Sequence, residues 1–297
     1  MQDWRENKRF FWGTMLVPTV WFAVFFVIPM AIVWAFSFGT QTGPGQIEVS
    51  GTFSNYARVF EPAILKVFWQ SVWMAAIATA ICLVAGFPVA LMMTFASERT
   101  RAWLLLLIML PFWTNLLIRT YALITVLGQT GTINDGFSLL HGLLTAIGLP
   151  MGEFQPLELL YNKGAVITGL VYVHLPFMIL PLYAALDRLD RSLIEASLDL
   201  GAGHIQTLFK VVVPLAMPGI IAGLIITFIP ALGAFLTPDL LGGPNDSMIA
   251  SLIDRQFKRA SDWPFGAAIS FILMYLTLLF FALRAVADAR AAKMGVG

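Results

Sequence analysis

RSLIEASLDLGAGHIQTLFKVVVPLAMPGI, Arg191 to Ile220, places a polar, amphipathic segment between two hydrophobic runs, Ala165 to Leu186 and Val211 to Leu241. Leu189, Leu193, Ala196 and Leu200 recur at spacings of four, three and four, which is one face of a helix. Ser192 and Glu195 stand as an S-x-x-E capping box at its start. Ile205, Leu208, Phe209 and Val212 form a second helical face that leads into the next run. Gly201-Ala202-Gly203 separates the two faces and allows a sharp turn between them. Periodicity alone also fits a helix that simply rests in lipid headgroups.

Working outward, the chain is 59% hydrophobic and 12% charged over 297 residues, whereas soluble domains carry about 25% charged residues. That composition belongs in a bilayer. A span needs roughly 20 apolar residues, and six stretches qualify: Phe11 to Phe38, Val67 to Phe95, Ala102 to Leu127, Ala165 to Leu186, Val211 to Leu241 and Phe265 to Ala287. The reading is an all-α membrane protein of six transmembrane helices in a single domain, residues 1–297. The first run exceeds the roughly 7–15 residue core of a signal peptide and reads as a retained span.

Basic residues set the orientation. Arg5, Lys8, Arg9, Arg99, Arg101, Arg188, Arg191, Lys210, Arg284, Arg290 and Lys293 fall on one set of loops, against Arg58, Lys66, Lys163, Arg255, Lys258 and Arg259 on the other. The richer side, with both termini and the quoted segment, is expected in the cytoplasm. The net charge of +1 gives no hint of a nucleic-acid partner. The single cysteine, Cys82, excludes a disulfide framework and a Cys-based metal site. No His/Cys/Asp cluster has metal-ligand spacing, and no nucleophile-base pair stands out.

Two loops opposite the quoted segment are long. Gly39 to Lys66 carries the turn-forming GTQTGPGQ and reads as an irregular lid; Gly128 to Lys163 holds FSLLHGLLTAIGL, too short to span, which reads as an interfacial or re-entrant piece. Met248 to Arg259 is expected to be a short surface helix capped by Asp246 or Ser247. Prolines recur within the runs, most densely at Pro176, Pro181, Pro214, Pro218, Pro230 and Pro238. Each removes a backbone donor, so the fourth and fifth helices are expected to bend and to line something.

The quoted segment carries a more specific pattern: Glu195-Ala196-Ser197, then Gly201, an aliphatic Val211 and Pro214. It resembles the E-A-A signature of permease subunits of binding-protein-dependent ABC importers, with Ser197 for the usual second Ala. The resemblance implies a type I importer permease fold with a cytoplasmic coupling helix between helices 4 and 5, residues of about 188–210, docked into a separate ATPase subunit. Glu195, Ala196, Ser197, Gly201, Ala202 and Pro214 would carry the coupling. The chain has no G-x-x-x-x-G-K-[ST] phosphate loop, so ATP and Mg would bind the partner ATPase; no cofactor is expected on this chain, which would not itself be an enzyme.

PFWTNLLIRTYALI, HLPFMILPLYAAL, VPLAMPGIIAG, FIPALGAFLTPDLLGGP and SDWPFGAA look like the first permease of spermidine/putrescine importers. That implies a bacterial inner-membrane complex of a second, different permease, two ATP-binding subunits and a periplasmic substrate-binding protein. The candidate translocation path is Asn115, Arg119, Tyr121, Tyr172, Tyr183, Phe235 and Asp239. A dicationic cargo asks for carboxylates and aromatic faces. The charge most clearly inside a run is instead Arg119, and Ala234 stands where some relatives carry an acid. Two cargo readings stay open: a polyamine, with carboxylates from the partner permease, or an opine, amino-acid derivative or phosphonate attracted by Arg119. His174, between Val173 and Leu175, reads as an interior, hydrogen-bonded histidine. An ion-gradient carrier or a membrane enzyme would need an intramembrane acid or a catalytic constellation, and a transport-free scaffold would leave the proline-rich helices without a role.

Overall fold

The computed structural model describes residues 8–43, 46–148 and 152–293, with the side chains of 8–10 and 283–293 left aside. Arg5, the side chains of Lys8, Arg9, Arg284, Arg290 and Lys293, and both termini therefore lie outside the described residues. The chain divides into two compact units: the part up to Leu65 together with the part from Leu252, and Lys66–Ser251 between them.

In the first unit, α1 (Lys8–Phe22) continues through a π-helical turn at Ala23–Val27 into α2 (Ile28–Phe36). The wide turn lies just before Pro29, where it relieves the clash of the proline ring with the carbonyl one turn back. The expected irregular lid is ordered instead. Strands β1 (Thr40–Gly43) and β2 (Gln46–Glu48) pair antiparallel, and α3 (Ser54–Val59) follows. Buried Asn55 explains the order: its Nδ2 donates to the carbonyls of Ser37 at 3.1 Å and Gly39 at 2.7 Å, so α3 holds the chain leaving α2. The unit ends with α15 (Trp263–Lys293). Trp34 Nε1 donates to the Tyr275 hydroxyl at 2.8 Å, and Arg58 pairs with Asp262 at 3.0 Å while lying 3.9 Å from the centre of the Phe265 ring.

The second unit begins within α4 (Pro62–Phe95). The third hydrophobic run, expected as one span, is broken: α5 (Glu98–Met109) ends in a 3-10 turn at Leu110–Trp113, and α6 (Leu116–Leu127) starts afresh. Pro111 cannot extend the α5 ladder, Thr114 is extended, and Asn115 Oδ1 caps the new helix by accepting from the Leu117 N–H at 2.8 Å. The FSLLHGLLTAIGL stretch forms most of α7 (Thr132–Ala146), held by buried Asn134, which bonds the carbonyls of Gly128 and Leu157 and the N–H of Leu157. Then come α8 (Lys163–Leu186), α9 (Arg191–Asp199) and α10 (His204–Thr207). A second π-helical turn, Leu208–Val212, again lies just before a proline, Pro214 in α11 (Val213–Leu215).

The fifth run is also not one rod. Helices His204–Leu215 and Met217–Leu232 meet at 69°, and Gly233 to Phe235 separate α12 (Met217–Leu232) from α13 (Leu236–Leu241). The bending expected from the prolines falls here, whereas α8 runs unbroken through Pro176 and Pro181. The helix that follows, α14 (Ile249–Lys258), is not capped as expected. Asp246 Oδ2 accepts from the Gly243 N–H, and the Ile249 N–H donates to Ser71 Oγ of α4 at 2.7 Å, so a neighbouring helix supplies the cap.

Among the described residues, five helices are long and apolar enough to cross a membrane: Phe11–Phe36, Pro62–Phe95, Leu116–Ala146, Lys163–Leu186 and Trp263–Ala282. The bent pair around Ala216 makes a sixth if it counts as one span.

The core of the second unit is built on α8. Cys82, Ala90 and Met93 of α4 meet Met178, Ile179, Leu182 and Leu186 of α8 at one end, and Met74, Ala75 and Ala78 meet Val166 and Leu170 at the other, so the two helices run the same way. Ile220 packs at the first end and Ala231 at the second, so α12 runs against them. With no hydrophobic force between helices in lipid, close packing of small residues holds such a bundle. Gly219 and Gly223 provide it: a Cβ on Gly219 would meet Ala185 and lie 2.8 Å from the Pro181 carbonyl, and one on Gly223 would lie 2.8 Å from Met178 Sδ.

Candidate functional site

The segment joining α8 to α12 is an open, polar joint. Its first helix starts two residues before the expected capping box. Asp190 is the N-cap, its Oδ1 accepting from the Ser192 N–H at 3.0 Å; Ser192 sits inside α9, and no Ser192–Glu195 box forms. This bond to the ionised form holds the Asp190 carboxyl below its ordinary range.

The C-terminus of α9 closes as a Schellman motif. The Gly201 N–H donates to Leu198 O at 2.9 Å and the Ala202 N–H to Ser197 O at 3.2 Å, around Gly201 at φ +83°. A residue with a Cβ is strained at that angle, although nothing lies within 4 Å of where the Cβ would stand. Gly201 is thus required by its own backbone. Ser197 Oγ and Thr207 Oγ1, 3.0 Å apart, bond α9 to α10 across the turn, which gives the Ser197 hydroxyl a task an alanine lacks.

Glu195, Ala196, Gly201 and Pro214 are exposed, and Ser197 and Ala202 half-buried. The apolar residues beside them are open as well: Leu200 is 89% exposed and Ile205 74%, a poor arrangement unless a further surface covers them. Behind the joint, Leu91 and Phe95 of α4, Ile194 and Leu198 of α9, and Ile205, Leu208 and Val212 line an apolar groove of about 330 Å³.

The other candidate residues do not converge on one pocket; they are strung along α8. Exposed Asp239 and Phe235 belong to the α13 end, where Thr237 and Leu241 press on Gly169. One turn further, Tyr172 is 39% exposed. Next comes buried His174, whose Nδ1 donates to Leu170 O at 2.8 Å. Its ring lies 6.1 Å from that of Phe177, which stands 5.1 Å edge-on to Phe112, and the Arg119 guanidinium is 5.7 Å from the Phe112 ring. Arg119 thus rests against an aromatic ladder, its Nε buried without a hydrogen-bond partner. Asn115 caps the same helix one turn before Arg119, and Tyr121 is 56% exposed two residues after it.

Tyr183 does not join this group. The Arg101 guanidinium lies 5.7 Å from its ring and reaches Asp187 at 3.4 Å, which puts Tyr183 at the α9 end of α8. From Gly169 to Tyr183 the rise of 1.5 Å per residue amounts to roughly 21 Å, much of the ~30 Å hydrocarbon thickness. The arginines at this end carry no contact signal in the sequence. Beyond their part in orientation, Arg101 and Arg191 both reach the Thr94 carbonyl at the end of α4.

A family model described as the binding-protein-dependent transport system inner membrane component matches residues 83–293, from α4 through the joint to α15. The chain belongs to this family. As an ABC transporter permease subunit of the inner-membrane component family, it is a multi-pass membrane protein whose transport depends on a binding protein. It is 42% identical over 273 residues to the spermidine/putrescine transport system permease protein PotB of Haemophilus influenzae, covering 92% of both chains. It is 40% identical to PotB of Escherichia coli, over 89% of this chain and 94% of that one. Among solved structures, a bacterial ABC transporter involved in import of the acidic polysaccharide alginate superposes with a TM-score of 0.71 over 97% of this chain and 98% of that one, at 19% identity, a likeness of fold.

Proposed function

We propose that this permease carries putrescine or spermidine inward, with residues of about 188–210 as the joint through which a separate ATPase subunit drives it. The observation that carries the cargo is the 42% identity, over 92% of both chains, to a spermidine/putrescine permease. The joint supports the coupling role through exposed, small Ala196 beside half-buried Ser197 and through its uncovered Leu200 and Ile205, which suit docking by another protein.

In this reading the joint faces the cytoplasm with both termini, and a second permease of different sequence completes the pore. Two ATP-binding subunits hold the nucleotide and Mg, and a periplasmic binding protein delivers the cargo. The candidate path suits a dication at its α13 end, where the Asp239 carboxylate and Phe235 ring are exposed. Arg119, seated against Phe112, then supports the helix break at Thr114–Asn115, and further carboxylates come from the partner permease.

The test is uptake of labelled putrescine and spermidine by cells with and without this chain, each with ATP intact or depleted. Uptake that needs both the chain and ATP is expected. Entry of neither compound would transfer the cargo assignment to anionic or zwitterionic solutes, with Arg119 as the first contact to vary.

A further inference from the structure

The end of α4 is held by charge. Thr94 is the next-to-last residue of this 34-residue helix, so its carbonyl has no partner within the helix and lies at the negative end of the helix dipole. Arg191, the first residue of α9, donates from Nη2 to that carbonyl at 3.0 Å, with its guanidinium 5.5 Å from the ring of Phe95, the next residue. Arg101 of α5 reaches the same oxygen at 3.5 Å and Asp187, just past the end of α8, at 3.4 Å. One carbonyl thus collects the ends of α4, α5, α8 and α9.

Beside this bond α9 and α4 face each other across the apolar groove, with Ile194 and Leu198 on one wall and Leu91 and Phe95 on the other. Apolar contact is non-directional and lets surfaces slide. A charge-assisted hydrogen bond fixes direction and distance.

We infer that Arg191 is a positioning residue that makes the end of α4 move with α9, so that a push on the joint reaches α4 directly and not only through the chain into α8 and α12. The inference rests on the reading of α9 and α10 as the ATPase joint.

The test uses the assembled transporter with spin labels at Met92→Cys on α4 and Asp199→Cys on α9. Both positions are exposed, and the native Cys82 is fully buried and escapes labelling. Co-purification of the ATPase subunit with the labelled chain is read first, and its absence defeats the joint reading and this inference together. With the ATPase present, the Met92–Asp199 distance should be the same in nucleotide-free and ATP-bound complexes. In R191Q it should differ between the two states, and putrescine taken up per ATP hydrolysed should fall about tenfold, as loss of one charge-assisted hydrogen bond allows. R191K, which keeps a charged donor for Thr94, should restore the constant distance. A distance that changes between states with Arg191 in place, one that stays constant in R191Q, or an R191K that behaves as R191Q overturns the inference and leaves the joint reading standing.

Discussion

In the α8–α12 pair and in the joint between them, glycine is demanded for opposite reasons. Gly219 and Gly223 sit in ordinary helix, and what forbids a side chain is the neighbour, Ala185 and the Pro181 carbonyl in one case and Met178 in the other. Gly201 has open space around it and is forbidden a side chain by its own φ of +83°. The first pair of helices is therefore built to stay together, and the joint is built to hold one shape while offering its surface to something else. Tight packing holds the first, and capping holds the second.

The largest effect is expected at Gly219. Gly219→Leu should drive α12 off α8 at a cost of about 3 kcal/mol. Measured as thermal unfolding of the purified chain in detergent, the transition should fall sharply or the folded protein should be lost. An unchanged transition would mean that the close α8–α12 approach is not required.

Gly201→Val separates the two regions from the other side. A β-branched residue at this angle costs about 1–2 kcal/mol, confined to the turn. The variant should insert and fold, unfolding only slightly more readily than the parent, while ATP-driven putrescine uptake is abolished. Normal uptake would show that the turn does not serve coupling.

The smallest effect concerns the start of α9. Because Asp190 accepts the Ser192 N–H, its folded pKa lies below the ordinary carboxylate value. A depressed carboxylate stabilises the fold above its unfolded pKa, and that contribution is lost as pH falls through the folded value. The protection factor of the Ser192 amide, its exchange rate relative to the free-peptide rate at the same pH, should stay constant across neutral pH and fall below pH ~4. Asp190→Asn, which still caps but does not titrate, should remove this fall. A fall that persists in the Asn variant would place its origin elsewhere.

Much of this was legible in the sequence because it depends on local chemistry. The E-A-S pattern with Gly201 and Pro214 marks the joint, since a positive φ and an open small-residue face need those residue types wherever the rest of the chain lies. Composition likewise identifies the spans built on the first, second, fourth and sixth runs, while the third span lies at Leu116–Ala146 and the fifth run is bent. What the sequence hid depends on partners far along the chain. Ile249 takes its cap from Ser71, 178 residues away, and Arg191 bonds Thr94, 97 residues away. The break at Thr114–Asn115 sits in between: Pro111 and Asn115 signalled it, but the apolar run on both sides read as one span. Tyr183 was grouped with Arg119 by residue type, whereas the rise of α8 alone separates it from His174 by about 14 Å.

The docking role of the joint is tested most directly at Ala196, which is exposed on α9, so that a large side chain there meets only what binds from outside. The chain carrying Ala196→Trp is purified from membranes together with whatever ATPase subunit it holds, and the ratio of the two polypeptides is measured beside that of the parent. The variant should be present in the membrane at parental levels and should have lost the ATPase subunit. A parental ratio, with ATP-driven putrescine uptake intact, would mean that no ATPase docks on this face of α9.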